Sequence, residues 1–156
     1  MRKLLFASSA ALALSLSSAA SAQVPAQVDL DKIQPILGSW SYRSLPTATE
    51  ATFTDTSAAQ RLIIRCNRAG RTVSIVRTGV PAAAATLSVW TSSASRALPS
   101  RYLATKQLIA DVAATDPILD AIAFSRSGFA TAASDAPLLV VPTWREPARV
   151  VEDCRS

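Results

Sequence analysis

Two cysteines, Cys66 and Cys154, are the whole thiol complement of the chain, and they stand behind a segment that reads as an export signal. The signal has three parts. Arg2 and Lys3 supply a positive start, Leu4 to Leu16 is an apolar run, and Ala20-Ser21-Ala22 is an A-x-A cleavage site. Cleavage is expected after Ala22, leaving Gln23 as the first residue. The alternative, an N-terminal membrane anchor, asks for ~20 apolar residues. No second apolar stretch reaches spanning length, and no cysteine follows the run to carry a lipid. The compact, Ala-rich signal points to a bacterial envelope protein delivered to the periplasm. In an oxidising compartment two cysteines most simply form one bridge. Two free thiols, or a bridge between chains, are the competing arrangements. A C-x-x-C redox pair is excluded by spacing.

Removing 22 of the 156 residues leaves 134, enough for one domain with a real core. The expected organisation is a signal over residues 1–22, a leader over 23–38 and one β-rich domain over 39–156. The signal carries two of the sixteen basic residues, so the net charge falls from +5 to +3 against eleven acids. That balance, with no run of charge, excludes a nucleic-acid binder.

Periodicity assigns the elements. Gln23 to Leu37 carries Pro25 and Pro35 and is expected to be extended, with one helical turn at most around Asp31 to Gln34. Strands are predicted at Trp40 to Arg43 and Glu50 to Thr54. The clearest is Arg61 to Asn67, where Leu62, Ile64 and Cys66 share one face and Arg61, Ile63 and Arg65 the other. Asn67 to Gly70 reads as a turn with Gly70 at positive φ. Arg71 to Thr78 returns, with Val73 and Ile75 inward. Leu87 to Thr91 is a further strand, the alanines at 82–85 a loop, and Tyr102 to Val112 β-like around Leu103 and Leu108-Ile109. A helix follows, capped by Thr115 or Asp116, with Pro117 at its first position and Gly128 closing it. Phe129 to Thr131 and Leu138 to Val141 are strands. Thr143 to Glu146 reads as a T-x-x-E capping box opening a terminal helix. The fold class is therefore α+β: a mainly antiparallel β-sandwich or open barrel with two short helices, one disulfide joining a central strand to the C-terminal helix.

Histidine is absent. That removes histidine-based triads, histidine general bases and ordinary zinc sites in one step, and no phosphate-binding or dinucleotide loop is present. Asp116 and Asp120 are better read as helix cap and first-turn acid than as a catalytic pair. Glu152 and Asp153, adjacent on a helix, face different directions and make a poor metal site. Ser92-Ser93 and Ser125-Arg126-Ser127 lack a lysine base. The reading is thus no enzyme, no cofactor and no metal. What remains is a candidate binding surface of Arg61, Arg65, Arg68, Arg71 and Arg77 on a hairpin, with Trp90 either a second-face core residue or an exposed aromatic beside it. Its expected partner is an envelope protein or an anionic envelope component. The function expected is a binding or interaction module, the alternatives being an envelope enzyme or inhibitor using carboxylate and arginine chemistry, or an accessory of a secretion machine.

At Leu62-Ile63-Ile64-Arg65-Cys66, Val73-Ser74-Ile75, the Thr115 to Arg126 segment and Val150 to Arg155, the chain resembles a group of uncharacterised alphaproteobacterial (sphingomonad-type) secreted proteins. That resemblance implies export and brings no activity. More distantly, the L-x-x-R-C strand and a helix closing on cysteine are similar to the TagO-like periplasmic family associated with type VI secretion, which implies an accessory role. The R-x-D segment expected after the central hairpin is missing here.

Overall fold

The computed structural model describes residues 26–156; the signal and its cleavage point at Ala22 and Gln23 lie outside the described residues. Among the described residues ten strands form two antiparallel sheets, accompanied by two α-helices. The first sheet is opened by β1 (Gly38–Ser44), β2 (Ala48–Asp55), β3 (Gln60–Asn67) and β4 (Thr72–Thr78), each paired with the next. The chain then crosses to a second sheet for β5 (Thr86–Trp90) and β6 (Ser95–Pro99). It returns as β7 (Arg101–Leu103) and β8 (Gln107–Ala113), with β8 pairing β4. After α1 (Pro117–Ala123), β9 (Phe129–Ala133) and β10 (Ala136–Val141) complete the second sheet in the order β10-β9-β5-β6, and α2 (Arg145–Arg155) ends the fold.

Alternation on β3 and β4 places the core. Leu62, Ile64, Cys66, Val73 and Ile75 are all at most 1% exposed and face Leu87, Val89, Phe129 and Val141 of the second sheet. Beside that sheet, α2 lays Val150, Val151 and Cys154 into the same core. Cys66 and Cys154 are bridged, with Cα atoms 5.5 Å apart, so the central strand and the terminal helix are joined as expected. Trp40 packs edge-on to Phe53 and stacked with Phe129, tying the two layers.

Local chemistry departs from expectation in five places. In the β3–β4 turn the left-handed residue is Arg71 (φ 45°), not Gly70, while Asn67 Oδ1 accepts from the Gly70 N–H. β6, within a polar Ser/Arg stretch, offers one fully buried residue, Leu98, too few for its period to be recognised. α1 stops at Ala123, its cap N–H bonding back to Asp120 and Ile122, five residues before Gly128. Gly128 instead opens β9 at φ 111°, where a Cβ would sit 2.5 Å from the Val141 carbonyl oxygen. The T-x-x-E box does not close: Trp144 is the N-cap without a side-chain bond, and Thr143 Oγ1 is buried unpartnered.

The fifth departure is the leader. A 3-10 turn forms at Leu30–Lys32, one residue ahead of the expected start, and the segment is packed rather than free. Leu30, Val28 and Ile33 cover Trp90, Ala130 and Val140 on the outer face of the second sheet. The Trp90 indole N–H donates to the Ala26 carbonyl at 2.7 Å, and Ile36 N–H donates to Val140 at 2.9 Å.

Candidate functional site

The hairpin arginines do not form one surface. Arg61 and Arg65 face outward on the first sheet, each with a carboxylate partner. Arg61 pairs with Asp55 at 3.1 Å. Arg65 reaches Glu50 through Nε (2.7 Å) and a terminal nitrogen, and Arg43 reaches the other Glu50 oxygen at 3.1 Å. Register causes this: Arg43, Glu50 and Arg65 stand directly opposite one another on three adjacent strands. The row continues through Ser74 to Asp111, which Arg101 meets at 3.1 Å. Burial pushes the Glu50 carboxyl up, but bonding and charge from Arg65, with Thr52 and Arg43, outweigh it and leave the group below its usual range. Arg68 is spent on Ser44 Oγ and the Leu45 carbonyl, and Arg71 on the Ser156 carbonyl.

Arg77 and Trp90 leave the proposed surface altogether. Residues 73, 75 and 77 share one face of β4, so Arg77 points between the sheets and is 5% exposed. Its guanidinium spans long bonds to the Arg61 and Pro137 carbonyls (3.3 and 3.4 Å), while Nε has no partner. Burial, with the nearby Arg61 charge, lowers its pKa to about 10. Trp90 is the second-face core residue, 7% exposed under the leader.

The other sequence candidates are structural. Asp116 accepts from Ile118 N–H at 2.9 Å and takes two bonds from Arg96. Burial alone would raise its pKa, and those partners lower it. Asp120 pairs with Arg155 at 2.7 Å. Ser92 and Ser125 tie two loops: Ser125 Oγ accepts from Ser92 N–H and donates to the Gly128 carbonyl.

A different group converges where α2 passes the edge strand β1. Tyr42, Arg145, Glu146, Ala148, Arg149, Glu152 and Asp153 line an open cleft of about 660 Å³. Tyr42 donates its hydroxyl to Asp153 Oδ2 at 2.6 Å, and the Arg149 guanidinium lies 4.0 Å from the Tyr42 ring centroid, in cation–π range. The Asp153 bond, burial and the Asp153 charge raise the Tyr42 pKa against the opposing effects of Arg149 and Ser44. Arg145 is 93% exposed, touching Glu146 at 3.4 Å, and the second Glu146 oxygen is buried with no partner. No family model, curated protein or solved structure matches the chain.

Their placement on the helix is informative. Arg145 stands in the first turn of α2, and Glu152 and Asp153 stand near its end. A helix dipole disfavours that arrangement by ~0.3–1 kcal/mol for each group. Glu146 and Arg155 follow the rule, so the reversed charges are not a general property of this helix. Two exposed apolar residues flank the cleft in sequence, Leu37 just ahead of β1 and Trp144 at the α2 cap. The Trp40 indole N–H, bonded to the Pro142 carbonyl at 2.8 Å, ties those two junctions together. Two guanidinium groups, a tyrosine and partly uncommitted carboxylates without an activated nucleophile can hold a ligand by charge and hydrogen bonds. The residues were visible as Trp-Ser-Tyr-Arg and Arg-Glu-x-x-Arg. Their meeting, across 111 residues, was not.

Proposed function

We propose that this chain is an exported, non-enzymatic interaction module of the periplasm whose partner, an envelope protein or an anionic envelope component, seats in the β1–α2 cleft. One observation carries the reading. The arginines and carboxylates of the first sheet's outer face pair closely with each other, whereas Arg145 touches Glu146 only at 3.4 Å, keeps almost all its surface in solvent and leaves the second Glu146 oxygen without a partner among the described residues. Residues that oppose the helix dipole and add little to packing fit a site kept for binding. The internal disulfide supports an oxidising compartment. Among the described residues no helix is long and apolar enough to cross a membrane.

The test is photocrosslinking in cells. A photoreactive amino acid at Ala148, inside the cleft, is expected to give a discrete adduct that Arg145→Glu abolishes. The same group at exposed Arg96, outside the cleft, is expected to give none. Equal adducts at both positions, or none at Ala148, would sink the proposal. N-terminal sequencing of the exported protein should begin at Gln23.

A further inference from the structure

Four strand edges bound the two sheets, and three are blunted. β7 is three residues long. β6 ends in Pro99. β10 carries Pro137 and a register shift between Ala136 and Leu139, and the leader bonds to its edge through Ile36. These are ordinary ways of preventing strand-to-strand association. β1 has none of them. Its seven residues pair with β2 in unbroken register, without proline or lysine and with one charge, Arg43.

The groups that β1 offers can be named. Leu45 N–H donates to the Ala48 carbonyl at 2.8 Å, which makes that pair a hydrogen-bonded one. Bonded and non-bonded pairs alternate along an antiparallel ladder. Arg43–Glu50 and Ser41–Thr52 are then bonded pairs, and the N–H and C=O groups of Trp40, Tyr42 and Ser44 turn to the outer edge. No other strand pairs with that edge among the described residues. The Tyr42 side chain belongs to the cleft, so the open backbone and the cleft are two sides of one site.

We infer that β1 accepts an added strand, an extended segment of a partner polypeptide carrying both an acidic and a basic side chain on the face turned to α2. The inference rests on the cleft reading and specifies its ligand. Main-chain bonds to Trp40, Tyr42 and Ser44 supply affinity, as in other strand additions, and side chains supply the choice. An added strand's side chains alternate between the two faces. Those on one face pass Arg145 and Arg149 and, beside them, Glu146, Glu152 and Asp153. Those on the other meet Arg43, whose side chain is 66% exposed although it shares Glu50. On the cleft face an acid finds a guanidinium and a base finds a carboxylate, and on the other face an acid finds Arg43.

A phage-displayed library of random dodecapeptides, panned on the folded, oxidised protein, is the probe. Recovered peptides are expected to carry an acidic and a basic residue at positions of the same parity and to lose at least tenfold in affinity on Arg145→Glu. Bound peptide should slow amide exchange at least tenfold at Trp40, Tyr42 and Ser44. Ser39, Ser41 and Arg43, already bonded to β2, should change little. Ser44→Pro, which removes an outward N–H, should weaken the same peptides more than Ser44→Ala, which loses the same Arg68–Oγ bond but keeps that N–H. Peptides sensitive to Arg145→Glu that leave those three amides unprotected would overturn strand addition while sparing the cleft. Protection of the amides with no sensitivity to Arg145→Glu would overturn the cleft reading. Failure to recover any peptide overturns the inference. So does protection of the three amides in peptide-free protein at high concentration, which would assign the edge to a second copy of this chain.

Discussion

Breaking the Cys66–Cys154 bridge tests how much of the fold depends on holding α2 against β3. The bridge closes 88 residues, and loop closure of that length removes about 4–5 kcal/mol of denatured-state freedom in the chain-entropy model. At roughly 4 °C per kcal/mol for a domain of this size, the midpoint should fall by about 15–20 °C. Both cysteines are buried, at 0% and 1% exposure. A Cys66→Ala/Cys154→Ala variant therefore also loses packing, and reduction of the native protein is the cleaner perturbation because the sulfur atoms stay. Urea titrations of oxidised and reduced protein, followed by circular dichroism, measure the difference. The slope with urea should rise on reduction, because an unlinked denatured chain exposes more surface. A loss below about 1 kcal/mol would refute the loop-closure reasoning and leave Val150 and Val151 as what holds the helix.

Two further predictions concern charges on either face of the first sheet. The Glu50 carboxyl is lowered in the fold, so its contribution is fully present above the ordinary glutamate value of about 4.3 and is lost as pH falls through the lowered value. Acid unfolding of Glu50→Gln should be shallower than wild type in that range, and superimposable acid limbs would show that the Arg43–Glu50–Arg65 row does not contribute. Arg77→Met should keep stability within about 1 kcal/mol of wild type or raise it, because among the described residues the buried guanidinium meets no carboxylate and makes only long bonds to carbonyls. A loss above about 2 kcal/mol in chemical denaturation would make Arg77 a required clamp between the sheets.

Much of the architecture was legible because it depends on local period. Leu62, Ile64 and Cys66 fall on one face of β3, Asp116 and Pro117 start α1, and the bridge follows from two cysteines. Arg77 was legible too, by the same alternation that turned Val73 and Ile75 inward. Treating it as outward followed residue type and not position. β6 exposes every residue but Leu98 at least in part, so its period carried little signal. The leader's attachment depends on Trp90 and Val140 meeting Leu30 across the fold, and no local pattern encodes that. The cleft was hidden for the same reason: β1 lies two strands from β3, and the bridge located α2 only relative to the latter.

The leader covers the second sheet from outside, while among the described residues the outer face of the first sheet has no such layer. Its central polar row is Arg43, Glu50, Arg65, Ser74, Asp111 and Arg101, with charges of opposite sign as neighbours. Beyond a Debye length of about 8 Å at physiological ionic strength, such a row presents little more than its single unmatched positive charge. A polyanion drifting past is hardly steered toward it. Whatever this face meets must be sensed at contact, and encounter there should proceed at nearly the same rate in dilute and in concentrated salt.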